Sequence, residues 1–93
     1  MFTQIPIDLE KVEKAEIDKE IIRTAIIAEL DAINLYEQMA YMTDDKDLRK
    51  VLLDVAREEK THVGEFQTML LKDDKEQVEE LSHGQKEIDE LIE

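Results

Sequence analysis

Three side chains with metal-ligand chemistry stand in positions whose neighbours are apolar. Ile22, Ile26, Glu29, Ile33, Tyr36 and Ala40 recur at steps of four and three, and so, farther along, do Leu48, Leu52, Val55, Glu59, His62, Phe66 and Met69. Such spacing puts each set on one face of a helix, turned toward a partner. Glu29 is the one charge in the first set, and Glu59 and His62 are the ionisable members of the second. A carboxylate taken out of water needs hydrogen bonds or a cation to offset its lost hydration. Two carboxylates and an imidazole suit iron, with zinc, manganese or calcium as substitutes. The chain has no cysteine, which removes thiolate ligands and disulfides and points to a reducing, cytoplasmic setting.

For the three to meet, two helices must bring them to one level. Little interrupts helix formation between residues 18 and 71, because Pro6 lies in the opening stretch and, of two glycines, only Gly64 falls inside. The pattern predicts a first helix from Asp18, as N-cap, to Met42, with Thr43, Asp44 and Asp45 forming a turn that caps a second helix over Lys46 to Leu71. Gly64 costs that helix about 1 kcal/mol relative to Ala, which a close helix contact would offset. The run Lys72-Asp73-Asp74-Lys75 interrupts the pattern. A weaker helical segment over about 75–92 follows, broken at Ser82, His83 and Gly84, which puts His83 in a surface turn. Apolar residues recur at steps of three and four rather than two, so the expected fold is all-α: an antiparallel two-helix hairpin with a short C-terminal helix, one unit over residues 1–93.

If the chain folds back at Asp44, Glu29 lies 15 residues before the turn and Glu59 15 residues after it. At 1.5 Å per residue both sit about 22 Å from the turn and meet, with His62 one turn beyond Glu59 on the same face. No lysine or arginine is placed to neutralise them. Lys11, Lys14, Lys19 and Arg23 lie toward the chain start, and Arg49, Lys50, Arg57 and Lys60 fall off the second seam. A metal ion is the economical partner.

Each of these residues also has a plainer reading. With 25 acidic residues in 93, an acid three places ahead of a histidine is a common accident, and an exposed i, i+3 ion pair is its usual meaning. Placement on an apolar seam moves Glu59, His62 and Glu29 toward ligation. Tyr36, two seam steps from Glu29, is either a hydrogen-bonding or redox neighbour of the ligands or, more commonly for tyrosine, a helix-interface residue. Asp31, Glu37, Glu58 and Glu65 flank the set and read first as solvated surface, then as a path for incoming Fe(II). Met39, Met42 and Met69 read as packing. A second apolar stripe on the first helix, Ile21, Ala25, Ala28, Ala32, Leu35, Met39 and Met42, is covered either by the C-terminal segment or by further assembly.

Di-iron bundles of the ferritin type use one Glu from each of two helices and a Glu-x-x-His from each of the other two. Glu29 and Glu59-Lys60-Thr61-His62 are half of that set. Two copies about a two-fold axis would complete it as a four-helix bundle, and a chain of 93 residues is short enough to need such association. The formal charge of −13 disfavours nucleic acid and anionic lipid as partners, and no apolar run approaches the length of a membrane span. The rival readings are a non-catalytic helical oligomerisation module, whose seam acids set register, and a di-iron peroxidase of the rubrerythrin kind lacking the cysteine-bound centre.

The stretches AIIAELDAINLYEQMA and VLLDVAREEKTHVGEF resemble the encapsulated ferritin-like proteins, and most of all the ferritin-like domain fused to archaeal encapsulin shell proteins, over about residues 20–72. The resemblance implies Glu29, Glu59 and His62 as iron ligands and Tyr36 as the family's tyrosine. It implies a ferroxidase centre at a two-fold interface, decamers built as rings of dimers, and delivery of oxidised iron to an encapsulin shell for storage. It further implies Asp31 as a surface residue on the metal's way in, whereas Ala28 departs from an acidic position found in some members. The ending IDELIE lacks the Gly-Ser-Leu-like tail that the resemblance implies for free-standing cargo, which leaves free cargo and a domain of a fusion as the two alternatives.

Overall fold

In the computed structural model the described residues are Glu13 and residues 16–93, so Pro6, Lys11 and Lys14 lie outside them. Three helices follow one another: α1, Ile17–Met42; α2, Lys46–Asp73; and α3, Lys75–Leu91. No strand occurs among the described residues.

α1 begins one turn position earlier than Asp18. Glu16 occupies the N-cap without a side-chain hydrogen bond, and Asp18 instead joins Glu20 in the first turn, where their negative charge complements the exposed N–H groups. Thr43 ends α1 by turning extended, at φ −88° and ψ 143°. The carbonyls left over at that end are taken by Arg49 of α2, whose Nε donates to Ala40 O at 2.9 Å and whose second guanidinium nitrogen donates to Thr43 O. The predicted cap of α2 is present: Asp45 Oδ1 accepts from the backbone N–H of Asp47 at 2.9 Å and of Leu48 at 3.1 Å. One turn thus closes both helices, which forces α1 and α2 to run antiparallel.

The seams meet as their periodicity requires. Ile33, Ala40 and Ala56 are buried and Ile22, Ile26, Leu52, Val55 and Phe66 are half-buried, while Leu48 and Met69 at the ends of the second seam are about half exposed. Leu70 closes the far end of the core at 6% exposure.

Further expectations differ from the structure. α2 runs two residues past Leu71, to Asp73. Ser82, His83 and Gly84 form no turn, since α3 passes through them unbroken; a single glycine costs a helix about 1 kcal/mol, which the capped start at Asp74 and the preceding turn carry. Gly64 meets no close helix, as a Cβ built there finds nothing within 4 Å. α3 leaves the hairpin rather than covering the second stripe of α1, and residues 78–93 are all exposed, Val78, Leu81, Ile88, Leu91 and Ile92 among them. The molecule measures 46 × 44 × 20 Å, a two-armed outline rather than a ball.

Candidate metal centre

Glu29 from the middle of α1 and Glu59 and His62 from the middle of α2 come together as the turn-centred register predicts. One ligand atom from each lies within 4.8 Å of the others, and no other group of three metal-ligand side chains does so among the described residues. His62 Nδ1 is 3.4 Å from Glu29 Oε2, across the hairpin, and 3.4 Å from Glu59 Oε2, one turn back on its own helix. Only the contact to Glu59 has the directionality of a hydrogen bond, and a long one. One imidazole nitrogen carries at most one proton, so it cannot satisfy both carboxylates.

Glu29 shows the consequence. Its Oε2 is buried and has no hydrogen-bond partner. The side chains of Glu29 and Glu59 are 20% and 19% exposed, while His62 is 43% exposed, so the carboxylates sit inside and the imidazole forms the open edge. Two acids held this close repel, and among the described residues no lysine or arginine pairs with them. The nearest lysine in sequence, Lys60, turns outward and pairs with Glu37 at 3.0 Å. An orphaned buried oxygen, a second carboxylate and an imidazole constitute a donor set that a divalent cation satisfies and that the chain alone does not.

The other residues singled out by sequence lie elsewhere. Tyr36 is half-buried on the same seam, and no hydrogen bond joins it to Glu29, Glu59 or His62. Glu58 and Glu65 are exposed. Asp31 corrects its reading as solvated surface: it is 6% exposed and borders a groove of about 210 Å³ with Ile27, Leu30 and Asn34. Two residues beyond Glu29, it faces about 200° around the helix from the ligand seam. His83 makes the second Glu-x-x-His of the chain, 3.4 Å from Glu80, but both are more than half exposed and no third ligand joins them. The contrast shows what the seam adds to the motif.

Sequence periodicity did not reveal Arg23 and Asp74. Arg23 on α1 and Asp74, between α2 and α3, pair at 2.9 Å, and Asp74 is 8% exposed. The backbone N–H of Gln77 first, and the Arg23 guanidinium and nearby Lys19 charge after it, hold the Asp74 carboxyl below the usual carboxylate range against the opposing effect of burial. Arg23 falls off the seam, so its partner follows only from the fold.

The family model for EncFtn-like proteins matches residues 5–84. The chain belongs to the EncFtn-like family. Across 72 residues this EncFtn-like chain is 67% identical to the ferritin-like-encapsulin shell fusion protein of Pyrococcus furiosus, a match over 77% of this chain and 21% of that protein. It is 43% identical over 56 residues to the encapsulin nanocompartment cargo protein EncC of Myxococcus xanthus, covering 60% of this chain and 43% of the other. The chain therefore aligns with less than half the length of either relative. Its fold matches the crystal structure of the encapsulated ferritin domain from Pyrococcus furiosus with a TM-score of 0.84 at 55% identity, over 99% of this chain and 94% of that one. The all-helical, ferritin-like fold is thereby shown, and no described helix is long and apolar enough to cross a membrane.

Proposed function

We propose that this EncFtn-like chain is half of a ferroxidase: two copies about a two-fold axis join their Glu29, Glu59 and His62 side chains around a pair of iron ions. The observation that carries the reading is the buried, partnerless Glu29 Oε2 beside a second carboxylate and an imidazole. The half-open edge at His62 is where a second copy would close the site.

The chain's own residues do three things in this scheme. Glu29 and Glu59 bring negative charge into a poorly hydrated place, where a ferrous ion offsets it. His62 offers a neutral ring nitrogen, so any proton it carries leaves when metal binds. Ile26, Ile33, Val55 and Phe66 line the seam on either side and limit water. Bound iron supplies the redox chemistry, each ferrous ion losing one electron to oxygen or peroxide.

The setting in this reading is an encapsulin compartment in the cytoplasm, with iron storage as its purpose; the encapsulin in the names of both relatives supports the compartment. The exposed apolar side chains of α3, with Ile21 and Met42 at the two ends of the second stripe of α1, supply further contact surface through which dimers join as a decameric ring.

Anaerobic titration with Fe(II), followed by air, tests the reading. Wild type should bind roughly two irons per two chains and oxidise them, while Glu59→Ala and His62→Ala should do neither. Equal oxidation rates in all three would leave a non-catalytic oligomerisation module.

A further inference from the structure

A single non-helical residue, Asp74, separates α2 from α3. The covalent chain does not demand the break. Leu71-Lys72-Asp73-Asp74-Lys75-Glu76 contains neither proline nor glycine, and no described peptide bond is cis. Asp74 itself, at φ −120° and ψ 87°, is unstrained.

The bend sacrifices backbone bonds. Asp74 N still donates to Leu70 O at 3.0 Å and Val78 N to Asp74 O at 3.2 Å, but Lys75, Glu76 and Gln77 make no bond back to Leu71, Lys72 and Asp73. A continuous helix would make all three, since each residue added to a helix adds one. Run together, Lys46 to Leu91 would form a rod about 69 Å long, yet the molecule extends 46 Å along its longest principal axis. The bent form must therefore hold side-chain interactions that the straight one lacks.

Asp74 provides them. Its Oδ1 accepts from Gln77 N at 3.0 Å, a cap bond that exists only while Asp74 stays out of the helix, and its Oδ2 accepts from Arg23 at 2.9 Å. Hydrogen bonds to a charged, sheltered carboxylate are roughly twice as strong as neutral ones. Beyond Gln77 every residue of α3 is exposed, so little else fixes its direction.

We propose that Arg23 and Asp74 form a clamp that keeps α2 and α3 bent against a competing state in which they run on as one helix. The clamp holds the third helix clear of its own hairpin at a set angle. The inference does not depend on the metal reading and is tested in chelator.

The chain has no cysteine, so Lys50→Cys and Glu87→Cys, both at exposed positions, admit a unique pair of spin labels. Labelled chains diluted into excess unlabelled protein report the distance within one chain by pulsed dipolar spectroscopy. A straight helix would separate the positions by about 55 Å, and the bend at Asp74 must shorten that distance. Wild type should give one population at the shorter distance. Asp74→Ala should shift most chains to the longer distance with helical circular dichroism undiminished, and Arg23→Gln should shift a smaller share. Arg57→Gln, which breaks an exposed pair with Asp54, should leave the distance alone. The proposal is overturned if Asp74→Ala and Arg23→Gln keep the wild-type distance, or if hydrogen exchange shows α3 unfolding instead of straightening.

Discussion

Glu29 and His62 approach to 3.4 Å from opposite helices of the hairpin without forming a hydrogen bond, which leaves a buried carboxylate oxygen facing a ring nitrogen already engaged with Glu59. Groups so arranged serve the metal-free protein poorly. If they exist to hold an ion, stability and function should part company at this position.

Glu29→Leu continues the apolar seam and removes the orphaned oxygen. In chelator, the variant should therefore be more stable than wild type by about 1 kcal/mol, since replacing buried charge by well-packed apolar atoms is often stabilising. It should bind no iron. Urea denaturation at one fixed protein concentration reads the first effect, and metal titration the second. A variant less stable than wild type would show that Glu29 is held by interactions of the protein itself.

Arg49 joins α2 to the last carbonyls of α1 through two guanidinium nitrogens. A guanidinium is a rigid fork, whereas an ammonium is a single point of charge. Arg49→Ala should cost about 1–3 kcal/mol, the usual loss for hydrogen bonds to a charged group. Arg49→Lys should recover less than half of it, as measured by thermal or chemical unfolding.

Asp74 predicts an acid limit to the elbow. Its pKa is lowered in the folded chain from the ordinary value of 3.8, by the Gln77 N–H foremost and by Arg23. A depressed carboxylate contributes stability above its unfolded pKa and loses it as pH falls through the folded value. Facing it are Arg23 and Lys19 of α1. The stability difference between wild type and Asp74→Asn, which keeps a capping oxygen, should be constant above about pH 5 and vanish at pH values below 3.8. No difference above pH 5 would assign the contribution to the cap, which both proteins keep, and a difference that persists unchanged well below pH 3.8 would show that it does not come from the carboxylate charge.

Most of the hairpin and all three members of the metal-capable cluster were legible in the sequence, for a definite reason. Steps of four and three record which side of a helix is inward, and equal spacing of Glu29 and Glu59 from Asp44 fixes their level once the turn is known. The polar run at residues 72–75 marked the break before α3, but what holds the bend did not follow, because Arg23 is 51 residues away from Asp74 in sequence. The false turn at Ser82-His83-Gly84 came from treating local propensity as decisive, whereas Asp74 caps the helix and allows it to propagate past a glycine. Asp31 escaped as well: its burial depends on what covers the far face of α1, which the seam pattern does not describe.

The last prediction concerns the partner chain. If metal is shared between two copies, it binds the dimer and not the monomer, so it must pull the equilibrium toward association. Free metal at about 100 times its dissociation constant contributes about 2.7 kcal/mol for each site it fills, a roughly hundredfold tighter dimer per ion bound. Sedimentation of the wild type across a range of protein concentrations, with Fe(II) under argon and with chelator, should display that change. Glu59→Ala and His62→Ala should sediment identically in both conditions, near the chelated wild type. Dimers that are equally tight with and without metal in all three proteins would mean that the apolar seams associate by themselves and that the acids contribute nothing to assembly.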